Sequence, residues 1–157
     1  MKGQRIFIAV FVLLWAGAFG HVYGKDIAGG KSGPKAEAKA MVLKAEEFVK
    51  ANGREKAVAE FNKQDGQFVK DYFYVFAYDL KGTVIAHPFH PTLVGKNVLN
   101  EADSQGKLFR KEIVEKAKAQ GEGWVEYTYL NPTTKKEKSK TTYFKKVDDM
   151  IICCGAY

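Results

Sequence analysis

With 157 residues, of which 46% are hydrophobic and 27% charged, the chain has the length and composition of one globular domain, which argues against a second domain. Its formal net charge of +7 suits contact with anions or with an anionic membrane surface. The lysine-rich stretch at 135–140 has no interleaved aromatic residues, so we interpret it as a solvated hairpin loop and expect no nucleic-acid binding.

The first 24 residues predict a secretory signal peptide. A short basic region ends at Arg5, an apolar run without charges covers 6–20, and small residues follow at Gly20 and Gly24. The run is shorter than the roughly 20 residues that a membrane-spanning helix needs. We expect cleavage and secretion to the periplasm, and the alternative is an uncleaved signal anchor that tethers the protein to the membrane. Residues 25–34 are rich in glycine and polar side chains, which predicts a flexible leader.

Two helices are predicted at the start of the domain that covers 35–157. From Lys35, apolar residues recur at helical spacing through a stretch rich in Ala, Lys and Glu, and Gly53 can provide a left-handed cap. A second, shorter helix is predicted at 54–62, before Gly66 breaks the chain. The apolar positions in the two helices are Met41, Val42, Ala45, Phe48, Val49, Ala57, Val58 and Phe61.

Segments rich in aromatic and β-branched residues follow and predict strands. A turn at 79–82 separates the first two, and Pro88 and Pro91 end the second because proline cannot donate to a sheet ladder. A helix is predicted at 107–119, with Leu108 on its apolar side. The five predicted strands are 72–78, 83–87, 124–130, 141–147 and 150–156. Helices that precede and interrupt such an antiparallel sheet define an α+β fold.

The two cysteines, Cys153 and Cys154, are adjacent in the last predicted strand. Neighbouring Cα atoms lie about 3.8 Å apart, which is too close for an ordinary disulfide. On a strand the two side chains point to opposite faces. We interpret both as small packing residues, and an intermolecular disulfide in an oxidising periplasm is the alternative.

Five motifs in the second half of the chain resemble those of one bacterial family. They are, in chain order, Ala86-His87-Pro88 running to Gly95-Lys96-Asn97, then Gly123-Trp124-Val125-Glu126-Tyr127, Asn131-Pro132, Lys140-Thr141-Thr142-Tyr143 and Gly155-Ala156-Tyr157. Their order and spacing resemble the single Cache domain (Cache type 2), the PAS-like extracytoplasmic sensor module of chemoreceptors and sensor kinases, which also occurs as a free-standing secreted protein. Further similar segments between 55 and 82 extend the resemblance from about residue 38 to the end.

The resemblance implies a PAS-like antiparallel sheet of about five strands with a long N-terminal helix and a helix between strands 2 and 3. It also implies a periplasmic binding or sensing role in chemotaxis or other signal transduction. The implied ligand is a small carboxylate such as acetate, propionate or pyruvate, and the implied partners are a membrane receptor and a second copy of the chain. We expect no output module of its own beyond Tyr157.

Family position gives six candidate ligand-binding residues: His87, Trp124, Tyr127, Tyr129, Lys140 and Tyr143. A carboxylate taken out of water must recover its lost hydrogen bonds, so a contact to lysine or histidine is the physical requirement. Strand alternation places Tyr127 and Tyr129 on one face and Trp124 on the other. For the same reason Lys140 and Tyr143 cannot both point into one pocket from an ideal strand.

No catalytic signature is present: the chain has no nucleophile elbow, phosphate loop, zinc-protease helix or paired-carboxylate pattern. We therefore expect no enzyme and no cofactor. A second hypothesis is a secreted structural or interaction domain whose pocket is closed, with Tyr127 and Tyr129 packed against helices. A third is a metal sensor that uses His87 and His90, although further ligands cannot be identified from the sequence.

Overall fold

The computed structural model describes residues 33–157, so the predicted signal peptide and nearly all of the predicted leader lie outside the described residues. Helix α1 spans Pro34–Asn52 and helix α2 spans Arg54–Phe61. Pro34 suits the first turn of α1, because the N–H that it lacks would have no helical partner there. Gly53 separates the two helices with φ 81° and ψ 164°, a backbone conformation that a residue with a Cβ rarely adopts.

Within 33–157, six strands form one antiparallel sheet in the order β1-β2-β6-β5-β4, with β3 also paired to β2. Their bounds are β1 Val69–Lys70, β2 Phe73–Asp79, β3 Val84–Ala86, β4 Glu122–Leu130, β5 Glu137–Val147 and β6 Met150–Ala156. Helix α3, Phe109–Gln120, connects β3 to β4. The predicted α+β architecture is confirmed. The additional strand, β1, has two residues and is too short to leave a pattern in the sequence.

The predicted start of β5 at Thr141 is wrong. The strand begins at Glu137, and Glu137 to Lys140 pair with Leu130 to Tyr127 of β4. Residues 137–140 are part of the strand because they pair with β4. The lysines among them have the composition of a loop, which is why the sequence predicted one. The observed start of β5 matters for the site because it places Lys140 inside the sheet.

The sheet separates two hydrophobic clusters. One lies against α1 and α2 and contains Val42, Phe61, Val75 and Ile152 among its members. The other lies against α3 and contains Phe76, Ile113, Val125 and Ile151 among its members. We call these two sides the α1 face and the α3 face of the sheet.

Adjacent residues divide between the two faces, as strand geometry requires. Cys154 belongs to the cluster on the α1 face and Cys153 to the cluster on the α3 face, and both are fully buried. This placement matches the interpretation of both as packing residues. In α3, the predicted apolar role of Leu108 is wrong: its side chain is 39% exposed, and the neighbouring Phe109 is buried instead. The helix begins at Phe109, so Leu108 lies before it, while the predicted Ile113, Val114 and Ala117 remain on the buried side.

Candidate functional site

The six candidate residues divide between the two faces of the sheet. Tyr127 and Tyr129 pack with the cluster on the α3 face, whereas Trp124 and Tyr143 pack with the cluster on the α1 face. The rings of Trp124 and Tyr143 lie 5.0 Å apart, and the Lys39 ammonium of α1 lies over the Tyr143 ring. The structure therefore does not bring these two residues to the side of the sheet that holds Lys140 and His87.

Lys140 is buried on the α3 face beside Tyr74. Its side chain is 0% exposed, and Nζ donates a hydrogen bond of 2.7 Å to Tyr74 Oη. Among residues 33–157, no carboxylate lies within ion-pair distance of Nζ. Burial without a counter-ion disfavours the charged form and lowers the pKa of Lys140 to about 7.

Four aromatic rings surround the Lys140 ammonium. Nζ lies 4.1 Å from the ring centre of Tyr74, 5.1 Å from Phe76, 5.2 Å from Tyr129 and 5.1 Å from Tyr157. The negative faces of aromatic rings attract a cation, which replaces part of the hydration that burial removes. We call Lys140 with these four rings the Lys140 cage.

Gly155 lets Lys140 reach across the sheet. Lys140 lies on β5 and Tyr74 on β2, and β6 runs between these strands. A Cβ at Gly155 of β6 would overlap Lys140 Cε and would lie 2.6 Å from Thr142 Oγ1. The missing side chain is therefore what allows the lysine stem to cross β6. This gives a physical role to the glycine of the closing motif.

His87 forms a second polar group beside the cage. It is buried, its backbone N–H donates to Asn62 Oδ1 at 3.0 Å, and its ring centre lies 5.2 Å from that of Tyr74. Burial, then the Lys140 cation, hold the pKa of His87 well below its usual value. Nδ1 accepts the backbone N–H of His90 at 3.1 Å, so the neutral imidazole carries its proton on Nε2. His87 is thus a hydrogen-bond donor on the α3 face.

The histidine pair has no further metal ligands in the part of the chain that the structure describes, where no group of three or more His, Cys, Asp or Glu side chains could hold an ion. The ring centres of His87 and His90 lie 4.9 Å apart, and Nδ1 of His87 is already occupied by a backbone N–H. The geometry therefore gives the metal-sensor hypothesis no support beyond the pair itself.

Tyr127 and Tyr129 differ in their surroundings. Tyr127 is buried, stacks on Phe109 of α3 with ring centres 3.7 Å apart, and its Oη lies 2.9 Å from Thr142 Oγ1. Tyr129 is partly exposed and meets His90 edge-on at 5.9 Å. Tyr127 thus fills the space between sheet and helix, whereas Tyr129 forms the outer wall of the Lys140 cage.

Arg110 of α3 is a functional candidate that the sequence interpretation missed. It is buried, and its Nη1 donates to the backbone carbonyl of Glu101 at 3.2 Å. Burial raises the pKa of Tyr129, and the Arg110 guanidinium opposes this rise, which places the cation beside the phenol. A signal was available: Arg110 shares a helix face with Ile113, Val114 and Ala117, where a charged residue is unusual.

Two clefts approach the cage from outside. One of about 340 Å³ is lined by Tyr74, Phe89, His90 and Leu130 among others, and one of about 260 Å³ by His90, Arg110, Tyr129 and Leu130 among others. Tyr157 Oη donates to the Leu130 carbonyl at 2.9 Å and so holds this shared rim against the cage. A larger cleft of about 560 Å³ lies between the start of α1 and the β1–β2 turn, and no cage residue lines it.

Comparison with known proteins identifies the family. The model of the family described as Single Cache domain 2 matches residues 34–157. The chain belongs to the single Cache domain family. This confirms the resemblance that its motifs carry. Cache domains are sensor modules that bind ligands outside the cytoplasm and are not enzymes, so the family assigns this chain an extracytoplasmic sensing role. Within 33–157, no helix has the length and apolar character needed to cross a membrane.

Solved structures share the Cache fold. A methyl-accepting chemotaxis protein from Vibrio parahaemolyticus matches with a TM-score of 0.67 at 24% identity, over 78% of this chain and 87% of that one. A Cache chemosensory domain, described for its recognition of carboxylic acids, matches with a TM-score of 0.64 at 23% identity, over 79% of this chain and 90% of that one. A periplasmic sensor domain of a chemotaxis protein gives a TM-score of 0.60 at 22% identity, over 78% and 88%. At these identities the likeness shows the fold.

Proposed function

We propose that this Cache domain binds a small organic acid, with the carboxylate of the ligand at Lys140 Nζ. The observation that carries this proposal is the complete burial of Lys140 without a carboxylate partner among the described residues. An unpaired buried charge is costly, by several kcal/mol in real proteins. A lysine retained in such a position is well suited to an anion that arrives with the ligand.

The neighbours of Lys140 can complete the solvation of a carboxylate. Two oxygens have four strong acceptor positions, which need donors once water is removed. Lys140 Nζ supplies charge-assisted donors, and the Tyr74 hydroxyl and the Nε2–H of His87 supply neutral ones. The ring centres of Tyr74 and His87 lie 5.2 Å apart, so the two residues that carry these donors are in contact.

The walls of the site favour a ligand with a short apolar tail. Phe76 lies 5.1 Å from Nζ, and Phe89 meets Tyr74 edge-on at 5.0 Å. Apolar walls with a few convergent polar groups are typical of small-molecule sites. Propionate, acetate and pyruvate have this combination of one charge and a small remainder, and the recognition of carboxylic acids by one structural neighbour points in the same direction.

The cellular context of the domain is part of the same proposal. We propose cleavage of the signal peptide at 1–24, a leader at 25–34 and a periplasmic domain that reports ligand binding to a membrane receptor. A homodimer through α1 is proposed on the same family grounds. Tyr129 and His87 then contact ligand, and Tyr127 supports the wall through Phe109. Trp124 and Tyr143 hold α1 against the sheet.

A thermal-shift screen against small carboxylates tests the ligand proposal. A ligand at 100 times its dissociation constant stabilises the folded state by about 2.7 kcal/mol, which raises the melting temperature by several degrees. Lys140→Met is the matched control, because it keeps the length of the side chain and removes the charge. A panel that gives no shift, or a shift that persists in Lys140→Met, contradicts the proposal.

A second candidate function has one specific observation in its favour. Tyr127 is stacked on Phe109 at 3.7 Å and is buried, which is the packing expected of a structural or interaction domain with a closed pocket. In that case Lys140 contacts only the rings of the cage and binds no ligand, and no carboxylate stabilises the protein. The screen separates the two candidates, because only the sensor gains stability from a ligand.

A further inference from the structure

We infer that ligand capture at Lys140 takes up a proton, so that the affinity of the domain for a carboxylate rises as the medium becomes more acidic. This inference rests on the proposed function and describes how the same site is regulated. The reason lies in what surrounds the lysine: among residues 33–157 no carboxylate lies within ion-pair distance of Nζ, and the Glu101 carboxylate, which acts on Tyr129, lies 3.9 Å from the Arg110 guanidinium.

Every element packed against Lys140 contributes neutral or cationic groups. The groups are Tyr74 of β2, His87 and His90 after β3, Arg110 of α3, Tyr127 and Tyr129 of β4, Cys153 and Cys154 of β6, and Tyr157. Burial raises the pKa of the tyrosines and of both thiols, so these groups stay neutral near pH 7. The carboxylate of a ligand is therefore the first anion that Lys140 meets in the folded domain described here.

The empty and the occupied site hold different numbers of protons. In the empty site, burial lowers the pKa of Lys140 to about 7. A carboxylate beside Nζ favours the ammonium and returns its pKa toward the usual value. Above pH 7 the amine of the empty site is mostly neutral, so binding of the anion requires a proton from solution. Below that pH the ammonium is already present, and binding requires none.

The pH dependence of the affinity follows from this difference in bound protons. Well below pH 7, affinity is constant until the ligand itself is protonated near its own pKa. Well above pH 7, one proton is consumed for each ligand bound, and the affinity falls about tenfold for each pH unit. The site thus responds to the ligand and to acidity together, and the response is steepest on the alkaline side of neutrality.

The two histidines give a different pH dependence. Burial, and next the Lys140 cation, lower the pKa of both His87 and His90 below their ordinary 6.5. A histidine that gains a proton on binding would take it up between its lowered pKa and its pKa in the complex, whereas Lys140 takes it up between about 7 and its ordinary 10.5. The pH at which uptake appears thus identifies the group that is responsible.

Calorimetric titration with sodium propionate measures the proton directly. At each pH, titrations of the full domain are run in two cationic or zwitterionic buffers that buffer there and differ in ionisation enthalpy. Their heats differ by the number of protons taken up multiplied by that difference in enthalpy. We expect close to no uptake at pH 5.5, about half a proton at pH 7 and nearly one at pH 8.5. Between pH 8 and pH 9 the affinity should fall about tenfold.

Two variants assign the proton to its residue. In Lys140→Arg the side chain stays charged, so uptake at pH 8.5 should vanish. In His90→Gln the uptake at pH 8.5 should remain. If the arginine variant does not fold, the buffer comparison on the unmodified domain still decides. Propionate binding without uptake at pH 8.5 overturns the inference and leaves carboxylate binding intact, whereas no binding at any pH overturns both.

Discussion

The two faces of the sheet use the same strands for different purposes. On the α1 face, small apolar residues of α1 such as Ala38, Val42 and Ala45 share one hydrophobic cluster with Val75 and Ile152. On the α3 face, the buried surface includes a lysine, a histidine, an arginine and a row of tyrosines beside the apolar residues, and clefts reach toward it from outside.

The α1 face contributes mainly to stability, whereas the α3 face carries the groups of the proposed binding site. Apolar burial on the α1 face stabilises by about 25 cal/mol for each Å² removed from water. The α3 face gives up part of that gain, because its polar groups lose water and Lys140 finds no anion among the described residues. We therefore expect substitutions on the α1 face to change stability alone, and removal of the Lys140 charge to change stability and binding in opposite directions.

The largest effect is expected from a cavity on the α1 face. Phe61 of α2 is buried and packs edge-on against Phe68 at 4.9 Å. Phe61→Ala should lower the free energy of unfolding by about 3–5 kcal/mol, measured by urea denaturation. The fraction that remains folded should bind the best carboxylate of the screen with unchanged affinity. A large loss of affinity in that fraction would show that the two faces are coupled.

The next effect is expected from Lys140→Met and has the opposite sign for stability. Replacing an unpaired buried charge with an apolar side chain of similar length should raise the free energy of unfolding near pH 7, by about 1–4 kcal/mol, and abolish binding. A variant that is less stable than the parent at this pH would contradict the view that Lys140 is kept for a ligand.

The unmodified protein and Lys140→Met should also differ in how their stability depends on pH. The pKa of Lys140 is about 7 in the folded protein and 10.5 as its ordinary value. Between these values the unfolded chain binds more protons than the folded one, so stability should rise with pH, by up to about 1.4 kcal/mol per unit. Lys140→Met should lack this rise. Equal slopes for both proteins between pH 7 and pH 10 would mean that Lys140 is not the responsible group.

A smaller effect is expected from Gly155→Ala, which places a methyl group against the Lys140 stem. Overpacking of this kind costs about 1–3 kcal/mol of stability and should displace Nζ from Tyr74, which weakens ligand binding. In the Lys140→Ala background the same substitution should cost less, because the overlap with the lysine is gone. Equal costs in the two backgrounds would mean that Gly155 makes room for something else, such as Thr142.

The smallest effects come from removing single hydroxyl groups. Tyr127→Phe loses the contact with Thr142 and should cost about 1 kcal/mol. Tyr143→Phe is the matched control on the α1 face and should leave the affinity for ligand unchanged. A loss of affinity in Tyr143→Phe, measured by calorimetry, would return this residue to the binding site and would contradict the division between the faces.

Local pattern predicted most of the elements and missed those that depend on a partner. The periodicity of Val42, Ala45 and Val49 is a property of α1 itself, and the alternation of Tyr127 and Tyr129 is a property of β4. By contrast, β1 and the first residues of β5 are strands because a neighbouring strand pairs with them. The two residues of β1 are too few to show a pattern, and the first residues of β5 are mostly charged, so neither segment carries a strand signal in its own sequence.

The candidate site was predicted in part for the same reason. Motifs and alternation pointed to Lys140, His87 and Tyr129, which the structure places on one face. They also pointed to Trp124 and Tyr143, which lie on the other. Tyr74 and Phe76 contact Lys140 but are ordinary strand residues in the sequence. Tyr157 belongs to the closing motif, which did not indicate its contact with Lys140, and the position of Arg110 on the apolar side of α3 was a signal that was not used.

The family, the α+β class, the helices and the alternation of faces within the predicted strands follow from the sequence, because they depend on short-range periodicity, turn chemistry and ordered motifs. Tertiary structure decided which residues meet. The order β2-β6-β5 brings Tyr74 within 2.7 Å of Lys140, although 66 positions separate them along the chain. Gly155 opens the path between them, and neither the strand order nor the burial that shifts the pKa of Lys140 can be deduced from local pattern.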